Sequence, residues 1–476
     1  MRLFMLSIIC VCLLPGEALP QGPDVDELMA DTLLTYGDYL DAVEAYHPVA
    51  ELARLEVVLA ENELLRSRGG FDPALYGNYA TKEWRNTNYY EALDAGIVLP
   101  TWAGVSLHAG YQNNEGVFLN PDKSTPSTGL VNAGLTVQLG AGLLMDNRRA
   151  ALRQAQIGLE QGQIERQLLL NQLYFEATQA YYNWAFAEEA LVIAQEALEL
   201  ASFRYNATRE SFKYGDVPAI DTVEAYTQVL NRLYKLREAQ THWVEAANVV
   251  SVYLWDEQKQ ARSIPPGLRP QRLERGSLTL RRLPAEIEQS HPELLFLEAL
   301  KGKVDIERRL AAEFLRPQIE LKYNFLSENV FSLEGEEWWG EHRFLTNNYD
   351  MGARILFPIF LRDARGRVGI NKVRMKMIDQ DYFNKRAQLN ASLNAALIEM
   401  QNLRDQIDFF DQNVRYLDRL LKGERDLFFN GESSLFFVNA RETQLIDVRN
   451  IYVQLLAKEH ILFSEIRVIA GEGFGQ

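Results

Sequence analysis

Cysteine is nearly missing from this 476-residue chain: there are two, Cys10 and Cys12, both near the N-terminus. That rules out a disulfide framework or thiol chemistry in the rest of the chain. Histidine is scarce as well, with six residues. His47 and His291 are each followed by a proline and have no His or Cys at ligand spacing, so they read as helix caps with Pro48 and Pro292 in the first helical position, not as metal ligands. Beyond the N-terminus there is no run of 18 apolar residues to make a spanning helix. The chain has no GxSxG, no Walker loop, no HExxH and no Cys–His pair. Its many acid pairs lie on amphipathic helical stretches, where they form solvated faces. Neither an enzyme nor a cofactor site is expected. The net charge of −16 and pI near 5.0 argue against a nucleic-acid partner.

Residues 1–20 have the layout of a secretory signal: Arg2, an apolar stretch from Leu3 to Leu14, then the small residues Gly16 and Ala18. Ile9 and Val11 precede the two cysteines, where a lipoprotein cleavage site prefers a small residue, so no lipid anchor is expected.

Proline is also absent from Asp146 to Val217, and that stretch organises the chain. Tyr174, Ala177, Tyr181, Trp184, Leu191, Ala194, Leu198, Ala201 and Tyr205 recur in heptad steps, the pattern of a helix lying along other helices. Gly215 ends the stretch, Pro218 opens a second helix, and Val223, Tyr226, Leu230 and Leu233 carry an apolar stripe back. The first expectation is a very long antiparallel helical hairpin over about 146–255.

The same unit recurs. Glu44, His47, Pro48, Glu63, Pro73 and Tyr79 reappear 244 positions later as Glu288, His291, Pro292, Glu307, Pro317 and Tyr323. Arg209, Phe212, Gly215 and Gln228 reappear 216 positions later as Arg425, Phe428, Gly431 and Gln444. Such constant offsets indicate an internal duplication. The expected organisation is a first repeat over 21–255, a linker over 256–284 rich in proline and arginine, and a second repeat over 285–476 whose long hairpin spans about 363–470.

Between helices of each repeat the period changes from 3.6 to 2. Ala103, Val105, Leu107, Ala109 and Tyr111 alternate with small or polar residues, as do Val131, Ala133, Leu135, Val137 and Leu139. In the second repeat Ile319, Leu321, Tyr323 and Phe325 alternate, then Tyr349, Met351, Ala353, Ile355 and Phe357. Strands are expected within about 74–139 and 318–357. Leu93, Ala95, Ile97 and Leu99 leave open whether the first repeat holds two strands or four. A soluble sheet on a core would alternate in the same way. With a secretory signal and no globular partner layer, an outer-membrane barrel fits better. Trp84, Tyr89, Tyr90, Trp102, Trp338 and Trp339 would then form interfacial girdles. An open sheet edge is not tolerated in lipid, so such a chain must oligomerise.

These segments resemble the TolC family of outer-membrane efflux channels over nearly the whole mature chain. The likeness is carried by the duplicated turns RESFKYGDVPAIDTVEAYTQ and RDLFFNGESSLFFVNARETQ, by EAYHPVAEL and EQSHPELLF (often Asn-Pro in the family), and by the junctions LLMDNRRAALRQA and FPIFLRDARGRVG. The resemblance implies a mainly α fold with a β-barrel part. A homotrimer shares one barrel in the outer-membrane lipid of a Gram-negative-type bacterium, and its coiled-coil helices form a periplasmic tunnel. It also implies a periplasmic adaptor (membrane fusion protein) and an inner-membrane transporter that supplies the energy. Pro73–Asp146 is 27 residues longer than Pro317–Asp363, so the strand count can exceed the family's usual twelve.

At the turns, Gly215, Asp216, Val217, Pro218 and Ala219, with Gly431, Glu432, Ser433, Ser434 and Leu435, are the expected adaptor contacts, exposed at the tips. Asp221 and Glu224 lie three apart, on one face of the second helix. In a trimer they would make rings of charge at a periplasmic gate, where the family carries aspartates. The second repeat has Phe437 and Ala440 in their place. Equally, the two acids could simply favour the helix N-terminus. The functional expectation is a passive export duct; the alternative is a periplasmic coiled-coil scaffold that transports nothing.

Overall fold

The computed structural model describes residues 25–30, 32–276, 290–327 and 348–473. The expected signal segment 1–20, residue Glu288, Trp338 and Trp339, and the linker from 277 onward lie outside the described residues.

Two helices of equal length dominate, α4 (Asn147–Tyr214) and α7 (Arg362–Phe429), each of 68 residues and so roughly 100 Å long. The Asp146 side chain caps α4 by accepting a hydrogen bond from the Arg149 amide at 2.8 Å. Two more helices return from the turns, α5 (Ala219–Ser251) and α8 (Leu435–Ile469). Three others, α2 (Tyr36–Tyr46), α3 (Pro48–Arg68) and α6 (Pro292–Glu313), complete the helical layer, after a short N-terminal α1 (Val25–Ala30). Both α3 and α5 pack along α4, α4 packs on α6 and α8, and those two pack along α7. The layer therefore has two flanks, α3 with α5 on one side and α7 on the other.

His47 and His291 are the N-caps of α3 and α6. Each Nδ1 accepts a hydrogen bond at 3.2 Å, from the amides of Val49 and Glu293 respectively. Burial, more than the nearby Lys385, pushes the His291 pKa down to about 4. Below the ordinary histidine value near 6.5, the unfolded chain takes up a proton that the folded chain refuses. Stability should therefore fall from pH 6.5 towards pH 4. His291→Asn keeps a cap without a titrating ring, and thermal melts across that window should show a shallower decline for the variant than for the native chain.

The largest core lies midway along α4. Tyr39, Tyr181, Trp184, Val250, Leu254 and Leu268 are almost fully buried there. The Tyr181 hydroxyl donates to the Leu34 carbonyl at 2.7 Å and accepts from the Gln271 amide at 3.0 Å. This clamps β1 (Leu33–Leu34) and β6 (Arg269–Pro270), which pair in parallel. Residues 256–276, expected as a linker, are therefore a packed belt across the helices. Leu268 and Leu273 are buried, and Arg275 pairs with Asp408 of α7 at 2.7 Å.

The apolar stripe of α5 is mostly uncovered. Val223, Tyr226, Leu230 and Leu233 are all exposed, Val223 by 60%, although the Tyr226 ring packs on Tyr205 of α4. α5 meets α4 through small residues instead, burying Ala225, Ala247 and Val250.

The strands form one antiparallel sheet of six in the order β2 (Ala74–Trp84), β3 (Thr87–Pro100), β4 (Val105–Glu115), β5 (Leu130–Gly140), β7 (Gln318–Ser327), β8 (Tyr349–Leu356). The segment between α3 and α4 thus holds four strands, the larger of the two counts left open. Ala103 lies in the β3–β4 turn and Phe357 beyond β8, so neither belongs to a strand. Register places Leu75, Ile97, Ala109, Ala133, Phe325 and Tyr349 in one row across all six strands. The next row on that face is Leu99, Leu107, Leu135, Tyr323 and Met351. On the opposite face His108, Gly134, Asn324 and Asp350 share a row, and Ser106, Thr136, Lys322 and Gly352 another. Trp84, Tyr89 and Tyr90 sit at the end of the sheet far from the helices, Trp102 at the near end.

Candidate functional site

The ends of the two long helices are built alike. Gly215 and Gly431 adopt left-handed φ values of 81° and 78°. At the first turn the Gly215 amide bonds the Phe212 carbonyl at 3.0 Å and the Asp216 amide reaches back to Ser211 at 3.0 Å. At the second, Gly431 bonds Phe428 at 3.0 Å and Glu432 bonds Leu427 at 2.9 Å. This paired closure satisfies helix-end carbonyls and needs a residue that tolerates positive φ. A Cβ on either glycine would meet nothing within 4 Å, so conformation, not space, is the constraint.

Pro218 and Ala219 are exposed, as are Asp216, Glu432 and Ser434, while Val217 and Ser433 are half-buried. Leu435 corrects the expectation: it is 4% exposed. The first turn of α8 turns Leu435 and Val438 inward; Val438 packs with Leu421 of α7 and Leu445. The exposed apolar residues at the tips are others: Tyr214 (81%) and Ile220 (67%) at the first, Phe429 (82%), Phe436 (63%) and Phe437 at the second. Sequence reasoning missed them because it looked for small turn residues. The signal was present in the aromatic pairs Phe428–Phe429 and Phe436–Phe437, which alternation along a helix would put on both sides of the tip.

Just above the tips, a polar cluster ties the two hairpins together. Arg204 of α4 pairs with Glu442 of α8 and donates to the Asn439 side chain at 2.5 Å. Asn439 in turn donates to Glu224 of α5 at 3.1 Å, and Arg232 of α5 donates to Thr443 at 2.8 Å. Tyr205 and Tyr226 pack with ring centroids 5.1 Å apart. Glu442 and Asn439 are buried. Glu224 is therefore held by the other hairpin within one chain, a tie that sequence spacing did not reveal. Asp221 sits half-buried in the first turn of α5, with its amide bonded to the Pro218 carbonyl at 3.1 Å.

Solved structures share this architecture. The outer-membrane channel CmeC of Campylobacter jejuni superposes with a TM-score of 0.61 at 13% identity, covering 96% of this chain and 87% of that one. The outer-membrane protein VceC of Vibrio cholerae gives 0.62 at 13%, covering 92% and 96%. The Neisseria gonorrhoeae MtrE outer-membrane channel, in its open state, gives 0.63 at 16%, covering 91% and 88%. The chain has the fold of the TolC-family outer-membrane channels. No protein-family profile matches the sequence, and no curated protein does. At such identities the likeness is one of fold, reached through the helical layer and the sheet.

In this TolC-type fold the described residues contain no helix long and apolar enough to cross a membrane, and no cluster of metal-ligating side chains. The apolar surface that could meet lipid lies on the sheet. Leu75, Leu107, Leu135, Leu321, Met351 and Ile355 are each exposed by between 37% and 84% on its one face, far beyond the scattered apolar residues of a soluble surface. The strands of β2, β4 and β5, 11 residues each, match the length that a tilted strand needs to span a bilayer.

Proposed function

We propose that this chain forms a passive homotrimeric channel-tunnel for efflux or secretion in the outer membrane of a Gram-negative-type bacterium. A periplasmic adaptor would couple it to an inner-membrane transporter. One observation carries the reading: among the described residues a sheet with one apolar face ends in two unpaired edges, and both edges continue into apolar flanks of the helical layer. β2 follows α3 and β8 precedes α7, so the edges of sheet and helices fall on the same two sides. On one flank Leu52, Leu55 and Leu59 of α3 and Val223, Tyr226 and Leu230 of α5 are exposed; on the other, Val373, Met377, Phe383, Ile398 and Phe409 of α7. Two different sides that each need covering call for a ring of copies joined head to tail. The duplication read from the sequence accounts for the equal lengths of α4 and α7. A scaffold that transports nothing would need the helices but gains nothing from the two-faced sheet. Purified protein in a planar bilayer should give discrete single-channel currents, and outer-membrane fractions should hold heat-modifiable trimers. A soluble periplasmic rod without conductance would end this reading.

The tips are the surface we assign to the adaptor. Ile220→Asp with Phe436→Asp should abolish export and leave trimers in the outer membrane. Leu435→Asp, by contrast, should lower trimer yield, because it buries a charge. Export that survives the first pair of changes places docking elsewhere.

Asp221 and Glu224 are assigned to the periplasmic gate. In a ring of three copies they place like charges around the axis, which attracts cations. Asp221→Asn with Glu224→Gln keeps size and removes charge, and Gln can still accept the Asn439 bond. Recordings should show lower cation selectivity and weaker block by multivalent cations from the periplasmic side. Wild-type selectivity and block in the double variant would leave the two acids as helix-end residues only.

A further inference from the structure

The trimeric-channel reading leaves open which strands meet where one copy joins the next. We propose that β8 of each copy pairs with β2 of its neighbour. The β2–β3 hairpin is then part of the wall, and three copies of six strands close an eighteen-stranded ring.

Four observations support this seam. First, β4 already has partners on both sides: Leu107 pairs with Leu99 of β3 and with Leu135 of β5. It has no free edge to offer, so a ring that left out the hairpin would have to break a formed ladder. Among the described residues the outer edges are β2 and β8 alone. Second, the directions agree. β2 leaves the helices and β8 returns to them, so β8 of one copy and β2 of the next run antiparallel with every helix on the same side of the ring. Third, the hairpin has the same two faces as the rest of the sheet. Its Leu75, Ile97 and Leu99 lie in the apolar rows that continue through β4, β5, β7 and β8.

Fourth, the hairpin is keyed into the wall. Tyr76 of β2, Gly96 of β3, Gly110 of β4 and Asn132 of β5 share one row on the polar face. The Tyr76 ring lies over both glycines. A Cβ on Gly96 would stand 2.9 Å from Tyr76 Cζ, and one on Gly110 would stand 3.0 Å from its hydroxyl oxygen. An aromatic ring covering the bare glycines of the next two strands is a known device for fixing sheet register and curvature. Of all the residues in β2, Tyr76 alone is not exposed, so beyond its backbone ladder with β3 the strand is keyed to β4 through this side chain. Both edges are otherwise open along their length, and in lipid an open edge must be paired.

Barrel diameter grows roughly in proportion to strand number, so six strands per copy instead of four widen the ring about 1.5-fold, into the range where a barrel leaves an aqueous channel. The membrane end would then be a wide exit.

Cross-linking tests the seam directly. No cysteine occurs after Cys12, so engineered pairs report without background. Met351→Cys or Ala353→Cys on β8 would be combined in turn with Leu75→Cys, Gly77→Cys or Tyr79→Cys on β2, and in a parallel set with Val105→Cys, Leu107→Cys or Ala109→Cys on β4. Oxidised full-length protein should yield covalent dimers and trimers for at least one β8–β2 pair and none for the β8–β4 set. Native mass spectrometry of the same samples gives the number of copies. Trimers that cross-link β8 to β4, or show no β8–β2 product in any register, overturn the eighteen-stranded seam while leaving the channel reading intact. A species other than a trimer overturns the reading on which the seam rests. Top views by electron microscopy give a second readout, expecting the wider ring.

Discussion

Leu107→Arg, Leu135→Arg and Leu321→Arg are each expected to cost about 2–4 kcal/mol if the residue lies near the bilayer midplane, and to deplete trimers from the outer membrane. The three leucines are spread over β4, β5 and β7, on the face whose rows through Ile97 and Leu99 are apolar across the sheet. Leu135 stands directly opposite Leu107 on one side and Tyr323 on the other, so a guanidinium there has no carboxylate across the strands to neutralise it and must either snorkel or face lipid. Changes on the opposite face give the comparison. Ser106→Arg should be tolerated. Thr136→Glu should be tolerated better than Thr136→Arg, because Thr136 stands opposite Lys322 and like charges across a strand pair repel. Heat-modifiability on gels and the trimer content of outer-membrane fractions measure the effect. Equal losses from both faces would mean that the sheet does not have one side in lipid.

Arg204→Ala should destabilise the tip end of the hairpins by about 3–5 kcal/mol, the usual cost of stripping a buried carboxylate of its cation partner. The Glu442 side chain is 5% exposed and Arg204 15%, so water can do little to compensate. The loss should spread, because the same guanidinium bonds Asn439, and Asn439 holds Glu224. Glu442→Gln alone should cost less than Arg204→Ala, since an amide needs no counter-charge. Arg204→Met combined with Glu442→Leu should recover most of the stability, because it removes both charges and fills the space. A double-mutant cycle on thermal unfolding reads the coupling. If Arg204→Ala shifts the melt no more than an exposed pair such as Lys213–Glu210 does, the pair is not what links the two hairpins.

The two acids proposed for a gate and the tips proposed for docking show how far the residues alone carried the functional reading. The turn motifs were readable because each depends on one local requirement, a left-handed residue after a long helix, and only glycine meets it cheaply. Which apolar residues of those turns face outward was not readable. Leu435 and Phe436 are adjacent and both apolar; one is buried and the other is exposed, and that choice depends on the rotation of α8 about its axis. Glu224 looked like a residue free to line a pore because its spacing from Asp221 gives only a shared face. Its bond to Asn439, 215 positions away, has no local trace.

By itself the sequence determined the ends of the long helices and the two faces of most strands. A proline-free run, a terminal glycine and a period of 2 or 3.6 are consequences of backbone geometry within a few residues, so they survive without knowledge of any partner. It did not determine that β2 is a strand: Asn78, Ala80, Thr81 and Lys82 carry no clear alternation, and the strand is held by its ladder with β3 and by the Tyr76 ring laid over Gly96 and Gly110. Nor did it settle which apolar stripes are spent inside one chain. The stripe from Ala177 to Trp184 is core because Tyr39, Leu254 and Leu268 arrive from distant segments to cover it. The stripe on α5 has a similar pattern and stays largely exposed. Heptads say that a face needs a partner; only the tertiary arrangement decides whether that partner lies in the same chain.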